Sequence, residues 1–80
     1  TSVTLKMTLL AKNLLIEEYP LSSRDLTYED GYWWLRTNVK SMAGVGRFYL
    51  GLSDQIEIIQ SPELVSFVRN HIRKNLARFI

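Results

Sequence analysis

Cysteine is absent from the 80-residue sequence. The chain therefore has neither a disulfide framework nor a cysteine-ligated metal. Its single histidine, His71, cannot form a metal site alone, and we expect no metal and no cofactor. Glycine and proline are also scarce, with four and two residues, and 46% of the residues are hydrophobic, which argues against disorder. A domain this small must then be held together by packing or by a partner subunit.

Long apolar runs are lacking too. No stretch approaches the length of a membrane span, and no signal-peptide pattern opens the chain. We therefore expect a cytoplasmic protein that makes no membrane contact. Because the sequence begins with Thr1 rather than methionine, we interpret residues 1–80 as a single domain excised from a larger protein.

The sequence also lacks the patterns that catalysis requires. It contains no G-x-S-x-G motif and no glycine-rich phosphate loop. Adjacent carboxylates on a helix, such as Glu17-Glu18, do not face each other, and Glu29-Asp30 leads into a turn. His71 falls inside the last predicted helix, where we expect a surface or boundary position. These observations predict a protein that is not an enzyme.

The formal net charge of +2 is unevenly distributed. Residues 1–60 sum to −1, whereas residues 61–80 sum to +3. The last segment carries four cations: Arg69, Arg73, Lys74 and Arg78. Such a basic helix face is more often a solvated surface than a phosphate-binding one, because nucleic-acid binding normally recruits more cations.

Apolar and polar residues alternate over residues 3–9, which predicts a half-buried strand. Its inward side chains should be Val3, Leu5, Met7 and Leu9. A helical period follows and ends at Pro20. The apolar face of that helix should consist of Ala11, Leu14, Leu15 and Tyr19.

Residues 22–40 are typical of a β-hairpin, because Asp30-Gly31 favours a tight type I′ turn. This register places Leu26 opposite Leu35, Tyr28 opposite Trp33 and Asp25 opposite Arg36. One face should belong to the core: Leu26, Tyr28, Trp33, Leu35 and Val39. The other face should carry Thr27, Tyr32, Trp34, Arg36, Asn38 and Lys40.

Three elements complete the chain. Ser41 is a candidate N-cap for a helix through about Leu52, with an apolar stripe of Met42, Val45, Tyr49 and Leu52. Gly44 and Gly46 weaken this helix, by about 1 kcal/mol each relative to alanine, or let it approach the sheet closely. The segment 55–59 predicts a strand with Ile56 and Ile58 inward.

Ser61-Pro62-Glu63 is a strong helix start, with Ser61 as the N-cap. The buried stripe of this last helix should be Leu64, Val68, Ile72, Leu76 and Phe79. The predicted order is thus strand, helix, strand, strand, helix, strand, helix. It indicates an α+β fold, specifically a ferredoxin-like β-α-β-β-α-β sandwich with an additional C-terminal helix.

The second strand of the hairpin offers the best candidate site. Its outer face should expose Tyr32, Trp34, Arg36 and Lys40, with Lys6 nearby and Arg47 as an outlier. Aromatic rings with interleaved cations can stack bases and bind anions, but they are equally enriched at protein interfaces. We favour the interface, with Asp25 neutralising Arg36 across the hairpin. Gly31-Tyr32-Trp33-Trp34 is only a distant match to the RNA-recognition motif, which argues against a standard RNA reader.

Several segments together resemble a known family. They are the hairpin 30–35, the segment 46–52, the strand 56–59, and Ser61-Pro62-Glu63-Leu64 opening a basic helix that ends at 76–79. They resemble, over essentially all 80 residues, the C-terminal extension (WCX) domain of bacterial WYL-domain transcriptional regulators. The name-giving Trp-Tyr-Leu motif belongs to the preceding WYL domain, so Trp33-Trp34-Leu35 should not be mistaken for it.

The resemblance implies a non-catalytic module that contributes to effector sensing and dimerisation. In such regulators a winged helix-turn-helix binds DNA, the WYL domain senses a ligand, and the extension is ferredoxin-like. The expected partners are the preceding WYL domain, a second subunit of a homodimer, and a nucleic-acid or small-molecule effector. Two alternatives remain from the residues themselves. One is single-stranded nucleic-acid binding through the open sheet face and the basic last helix, and the other is a small-molecule sensor of the amino-acid-binding type.

Overall fold

The computed structural model describes residues 1–78, which form a small α+β domain built on a four-stranded antiparallel sheet. The strands are β1 (Ser2–Met7), β2 (Leu26–Glu29), β3 (Tyr32–Asn38) and β4 (Ile56–Ile59). The helices are α1 (Leu9–Glu18), α2 (Met42–Gly51) and α3 (Pro62–Leu76), and a 3₁₀ segment covers Pro20–Asp25. Among these helices, none is long and apolar enough to cross a membrane.

Strand β1 lies inside the sheet, whose order is β2-β3-β1-β4. Leu5 faces Leu35 on one side and Ile58 on the other, and all strand pairs are antiparallel. The inward side chains Val3, Leu5 and Met7 are at most 1% exposed. The core therefore forms on this face of β1, with contributions from every helix: Ala11, Leu15, Phe48, Leu64 and Val68.

The predicted hairpin register is confirmed, but the expected core position of Tyr28 is wrong, since this side chain is 61% exposed. Asp30 and Gly31 have φ angles of 52° and 84°, as a type I′ turn requires, and Leu26 pairs with Leu35 and Tyr28 with Trp33. The hairpin is shorter than expected, because the chain before Leu26 forms the 3₁₀ segment rather than strand. Asp25 is thereby removed from the ladder and accepts a hydrogen bond from Thr37 Oγ1 at 3.0 Å.

The expectation that Leu9 points inward from the first strand is wrong. The strand ends at Met7, and the Thr8 hydroxyl caps α1 by accepting from the Ala11 amide. Leu9 then begins the helix and is 58% exposed. Two further members of the predicted apolar face of α1, Leu14 and Tyr19, are also exposed, because only Ala11 and Leu15 reach the sheet.

Helix α3 is buried only in its first half. Leu64 and Val68 lie in the core, but Ile72 and Leu76 are 51% and 53% exposed, contrary to prediction. Helix α3 packs mainly against α2, which is five residues shorter than the 15 residues of α3. The last member of the predicted stripe, Phe79, lies outside the described residues.

Helix α2 starts as predicted, with the Ser41 hydroxyl accepting from the Ala43 amide at 3.2 Å. Its most buried large side chain is Phe48, which the predicted stripe omitted. Gly46 is also buried, and a Cβ at this position would overlap the ring of Phe67 in α3. The absent side chain at Gly46 thus permits close approach of α2 to α3, rather than to the sheet.

Ser61 does not cap α3 with its side chain, which corrects the expected N-cap role. Its hydroxyl accepts from the Thr4 amide at 2.9 Å and donates to the Ile59 carbonyl at 2.8 Å. The preceding Gln60 has a φ of 44°, which turns the chain at the end of β4. Ser61, only 3% exposed, therefore ties the start of α3 to the middle of β1.

We expect Gly46→Ala to lower the free energy of unfolding by about 1–3 kcal/mol, because the added methyl group overlaps the Phe67 ring. Gly51→Ala is the matched control: nothing lies within 4 Å of its added Cβ, and alanine should raise the stability of the helix by up to about 1 kcal/mol. Urea denaturation followed by circular dichroism measures both. Equal stability of the two variants would contradict the close α2–α3 contact.

We expect Ser61→Ala to destabilise the domain by about 1–3 kcal/mol, because it leaves the Thr4 amide without its acceptor. Ser66→Ala, at an exposed position of α3, should change the stability by less than about 0.5 kcal/mol. The same denaturation measurement compares them. A Ser61 variant as stable as the Ser66 variant would show that the serine hydroxyl does not hold β1.

Candidate interaction face of the sheet

The candidate site is the sheet face turned away from the core, called here the open face. Side chains alternate along a strand, so Thr4 and Lys6 must point away from the core that receives Val3, Leu5 and Met7. The strand register then fixes the other members. They are Ser2, Thr27, Glu29, Tyr32, Trp34, Arg36, Asn38, Glu57 and Ile59.

Lys6 lies at the centre of the open face. It is opposite Trp34 on β3 and opposite Glu57 on β4. Its Nζ is 4.4 Å from the centroid of the Tyr32 ring and 5.8 Å from that of Trp34. Distances below about 6 Å permit cation–π attraction, so the ammonium group is held over two aromatic rings at once.

A second cation, Arg36, also lies close to the Trp34 ring. Its Cζ is 5.0 Å from the Trp34 ring centroid, one terminal nitrogen donates to Glu29 Oε2 at 3.1 Å, and the other donates to Thr27 Oγ1 at 3.1 Å. The predicted neutralisation of Arg36 by Asp25 is wrong. Glu29 takes that role, because the 3₁₀ segment carries Asp25 to Thr37.

The Arg36–Glu29 ion pair is a surface contact, with side chains 50% and 49% exposed. Such pairs stabilise a fold by no more than about 1 kcal/mol. Its main effect is on geometry: a guanidinium that is bonded to two side chains of β2 stays over the ring of Trp34.

Trp34 is half-buried between these two cations. Its indole Nε1 is shielded from solvent, and the described residues provide no acceptor for it. A buried donor without a partner costs about 1–3 kcal/mol, so this group is unfavourable within the domain by itself. The unsatisfied indole distinguishes Trp34 from Trp33, which lies on the other face of β3 under Lys12 Nζ at 4.3 Å.

The structure brings together only four of the predicted site residues: Lys6, Tyr32, Trp34 and Arg36. Lys40 follows the end of β3 at Asn38 and lies outside the ladder. Arg47 is exposed on α2, a helix that packs on the opposite face of the sheet. The basic residues of the C-terminal segment are also exposed. Arg69, Arg73 and Lys74 lie in α3, and Arg78 lies just after it.

The charges of the open face are balanced. Lys6 and Arg36 share it with Glu29 and Glu57. Within residues 1–78, no group of three or more His, Asp or Glu residues is arranged to hold a metal ion. The open face is therefore a surface of balanced charge that combines aromatic rings, the Arg36–Glu29 ion pair, Lys6 and Glu57.

Sequence reasoning missed Glu29 and Thr27 as partners of Arg36. The signal was present in the hairpin register, which places both on the same face as Arg36. It was obscured because Asp25 stands directly opposite Arg36 in that register. Comparison with known proteins adds no further residue, since no family model, curated protein or solved structure matches the chain.

We expect Lys6→Ala to expose the indole of Trp34. The test uses Trp33→Phe, which leaves Trp34 as the one tryptophan of the two in the chain. In that background, Lys6→Ala should shift the Trp34 emission to longer wavelength and raise its quenching by acrylamide, because the covering side chain is gone. Lys40→Ala is the matched control, and we expect it to leave both quantities unchanged. An identical response of the two variants would contradict the position of Lys6 over the ring.

Proposed function

We propose that the domain is a ferredoxin-like sandwich with an additional C-terminal helix. The support is the interleaving of its two halves. Strand β3 lies between β1 and β2, which are joined through α1, and β1 lies between β3 and β4, which are joined through α2. This is the arrangement of a split β-α-β unit repeated twice, and α3 is the addition.

We further propose that the domain is a non-catalytic regulatory module of a bacterial WYL-family transcriptional regulator, acting in the cytoplasm and contributing to effector sensing and dimerisation. The resemblance of the hairpin, the segment 46–52 and the Pro62 helix start to the WCX extension supports this assignment. The observation that carries it is the open face, where Trp34 has a shielded donor without an acceptor and is flanked by Lys6 and Arg36.

The composition of the open face favours a protein partner. Tryptophan, tyrosine and arginine are the residues most enriched at the energetic centres of protein interfaces, and Tyr32, Trp34 and Arg36 lie there side by side. Lys6, Glu29 and Glu57 add charged groups next to these three residues, and together with Arg36 the charges of the face balance. The preceding WYL domain of the same regulator is the partner that the resemblance implies, and a second subunit is the other.

Nucleic-acid binding is less well supported by the same residues. Phosphate recognition requires an excess of cations, whereas Lys6 and Arg36 are matched by Glu29 and Glu57. Base stacking requires a free ring face, and both cations lie over Trp34. The basic residues of α3 could not assist on this surface, because α3 packs on the other face of the sheet.

In a regulator, the module would act by contacting its partner differently in two arrangements of the assembly. An effector shifts such an equilibrium only through a difference in contacts between the two states. Trp34 suits this role because an arrangement that displaces the side chains covering its Nε1 and brings an acceptor there would satisfy a donor that the isolated domain leaves unpaired.

The test is a titration of the Trp33→Phe domain with the separately expressed WYL domain of the same regulator, following Trp34 emission. We expect a saturable change in emission for this domain. The substitutions Trp34→Ala and Arg36→Ala are made in the parent sequence, and their binding is measured by the heat of binding instead of by fluorescence. Each substitution should abolish the binding. Arg47→Ala, which removes an exposed cation on the opposite side, should leave it intact. Binding that survives both open-face substitutions would refute the assigned surface.

A parallel titration with short single-stranded DNA and RNA, at low and moderate salt, separates the alternative. We expect no change in Trp34 emission. Saturable quenching that weakens with salt and disappears in Arg36→Ala would instead make the open face a nucleic-acid sensor.

A further inference from the structure

A cavity of about 250 Å³ lies on the core side of the sheet, between the end of α1, the 3₁₀ segment, β3 and the first turns of α2. Its floor consists of core side chains that are at most 8% exposed: Leu5, Leu15, Leu35 and Phe48. Well-packed protein interiors contain few spaces larger than a water molecule. The cavity is therefore a gap in the core packing that opens to the surface.

The polar side chains that line the cavity all carry hydroxyl groups. They belong to Tyr19, Ser22, Thr37 and Ser41, and no charged side chain is among the lining residues. Two of these hydroxyls already have partners, since Thr37 donates to Asp25 and Ser41 accepts from Ala43. Tyr19 sits edge-on to Phe48 at 6.4 Å between ring centroids, which makes one wall aromatic.

Gly44 keeps the cavity accessible. It lies in α2 and lines the cavity, and a Cβ there would meet only the Tyr19 hydroxyl, at 3.8 Å. Since glycine weakens a helix by about 1 kcal/mol relative to alanine, its presence in this turn is unfavourable for α2 itself. At Gly46 the space of the absent side chain is taken up by the Phe67 ring. At Gly44 no side chain overlaps this space, so it remains part of the cavity.

We propose that this cavity binds a small, uncharged and mainly apolar molecule that carries a hydroxyl or similar hydrogen-bonding group. The size follows from the volume: an apolar cavity of about 150 Å³ takes up benzene, and pockets for drug-sized ligands begin near about 300 Å³. A single ring with a short substituent fits between these limits. The ring would lie on Leu5, Leu35 and Phe48, and the polar group would reach the hydroxyls at the mouth.

The uncharged lining excludes two other occupants. A free amino acid brings a carboxylate, which no lining cation would neutralise and which would lie near the Asp25 carboxylate that Thr37 binds. A nucleotide phosphate meets the same objection. The inference depends on the cavity alone and does not rest on the regulatory function proposed above, because the cavity and the open face lie on opposite sides of the sheet.

Phenol is the probe, and benzoate is its charged counterpart of similar size. Thermal unfolding and saturation-transfer NMR, each across a millimolar concentration series, measure binding to the 80-residue domain. We expect phenol to raise the Tm in a concentration-dependent way, as any ligand of the native state must, and to show saturation transfer. Benzoate should do neither. Absence of both signals for phenol, or equal binding of benzoate, would overturn the proposal.

Gly44→Leu locates the site. Its side chain should occupy the mouth of the cavity, where an added Cβ meets only the Tyr19 hydroxyl at 3.8 Å, and should weaken phenol binding by about tenfold or more. Because leucine favours helix over glycine, we expect α2 to form in this variant. Gly51→Leu makes the same change in the same helix, away from the cavity, and should bind phenol like the parent. Trp34→Ala should bind equally well. Phenol binding that persists in Gly44→Leu but is lost in Trp34→Ala would place the ligand on the open face and refute the cavity site.

Discussion

The alternation of side chains along β1 is the constraint on which the rest of the structure depends. Val3, Leu5 and Met7 are almost completely buried. Leu5 and Met7 pair with both β3 and β4, and Val3 pairs with β3. A shift of one residue in register would move these three side chains to the solvent and carry Thr4 and Lys6 into the core. Burial of the apolar face therefore also fixes Lys6 beside Trp34.

Features that are encoded by neighbouring residues could be predicted from the sequence. The Asp30-Gly31 turn requires two positive φ angles, which this pair adopts easily. The position of the turn then determines which residues of β2 and β3 pair with each other. The Ser41 cap likewise needs only its own helix. The open face follows from the same local register, which is why Tyr32, Trp34 and Arg36 were identified as neighbours from the sequence.

Features that depend on what lies opposite an element could not be predicted. The helical period of Ile72 and Leu76 shows that they share a face with Leu64, but it does not show that about half of each side chain stays exposed in the fold. Ser61 has the sequence context of an N-cap, yet the Thr4 amide competes successfully for its hydroxyl. Glu29 was missed as the partner of Arg36 for a similar reason, since the 3₁₀ segment that withdraws Asp25 has no hydrophobic period.

Strand β3 connects the two candidate sites. Leu35 forms part of the cavity floor, while its neighbours Trp34 and Arg36 point to the open face. A molecule in the cavity and a partner on the open face would thus contact opposite sides of the same few residues.

Linkage makes any influence between them reciprocal: a cavity ligand that strengthens partner binding by some factor must itself bind more tightly by that factor when the partner is present. The coupling can be no larger than the difference between the contacts that β3 makes with the ligand and the partner in its different conformations. A strand held between two neighbours in a four-stranded sheet changes conformation little, so this difference is small. Strong coupling would therefore have to come from side chains at the two surfaces, Tyr19 at the mouth of the cavity and Lys6 over the indole, rather than from the backbone between them.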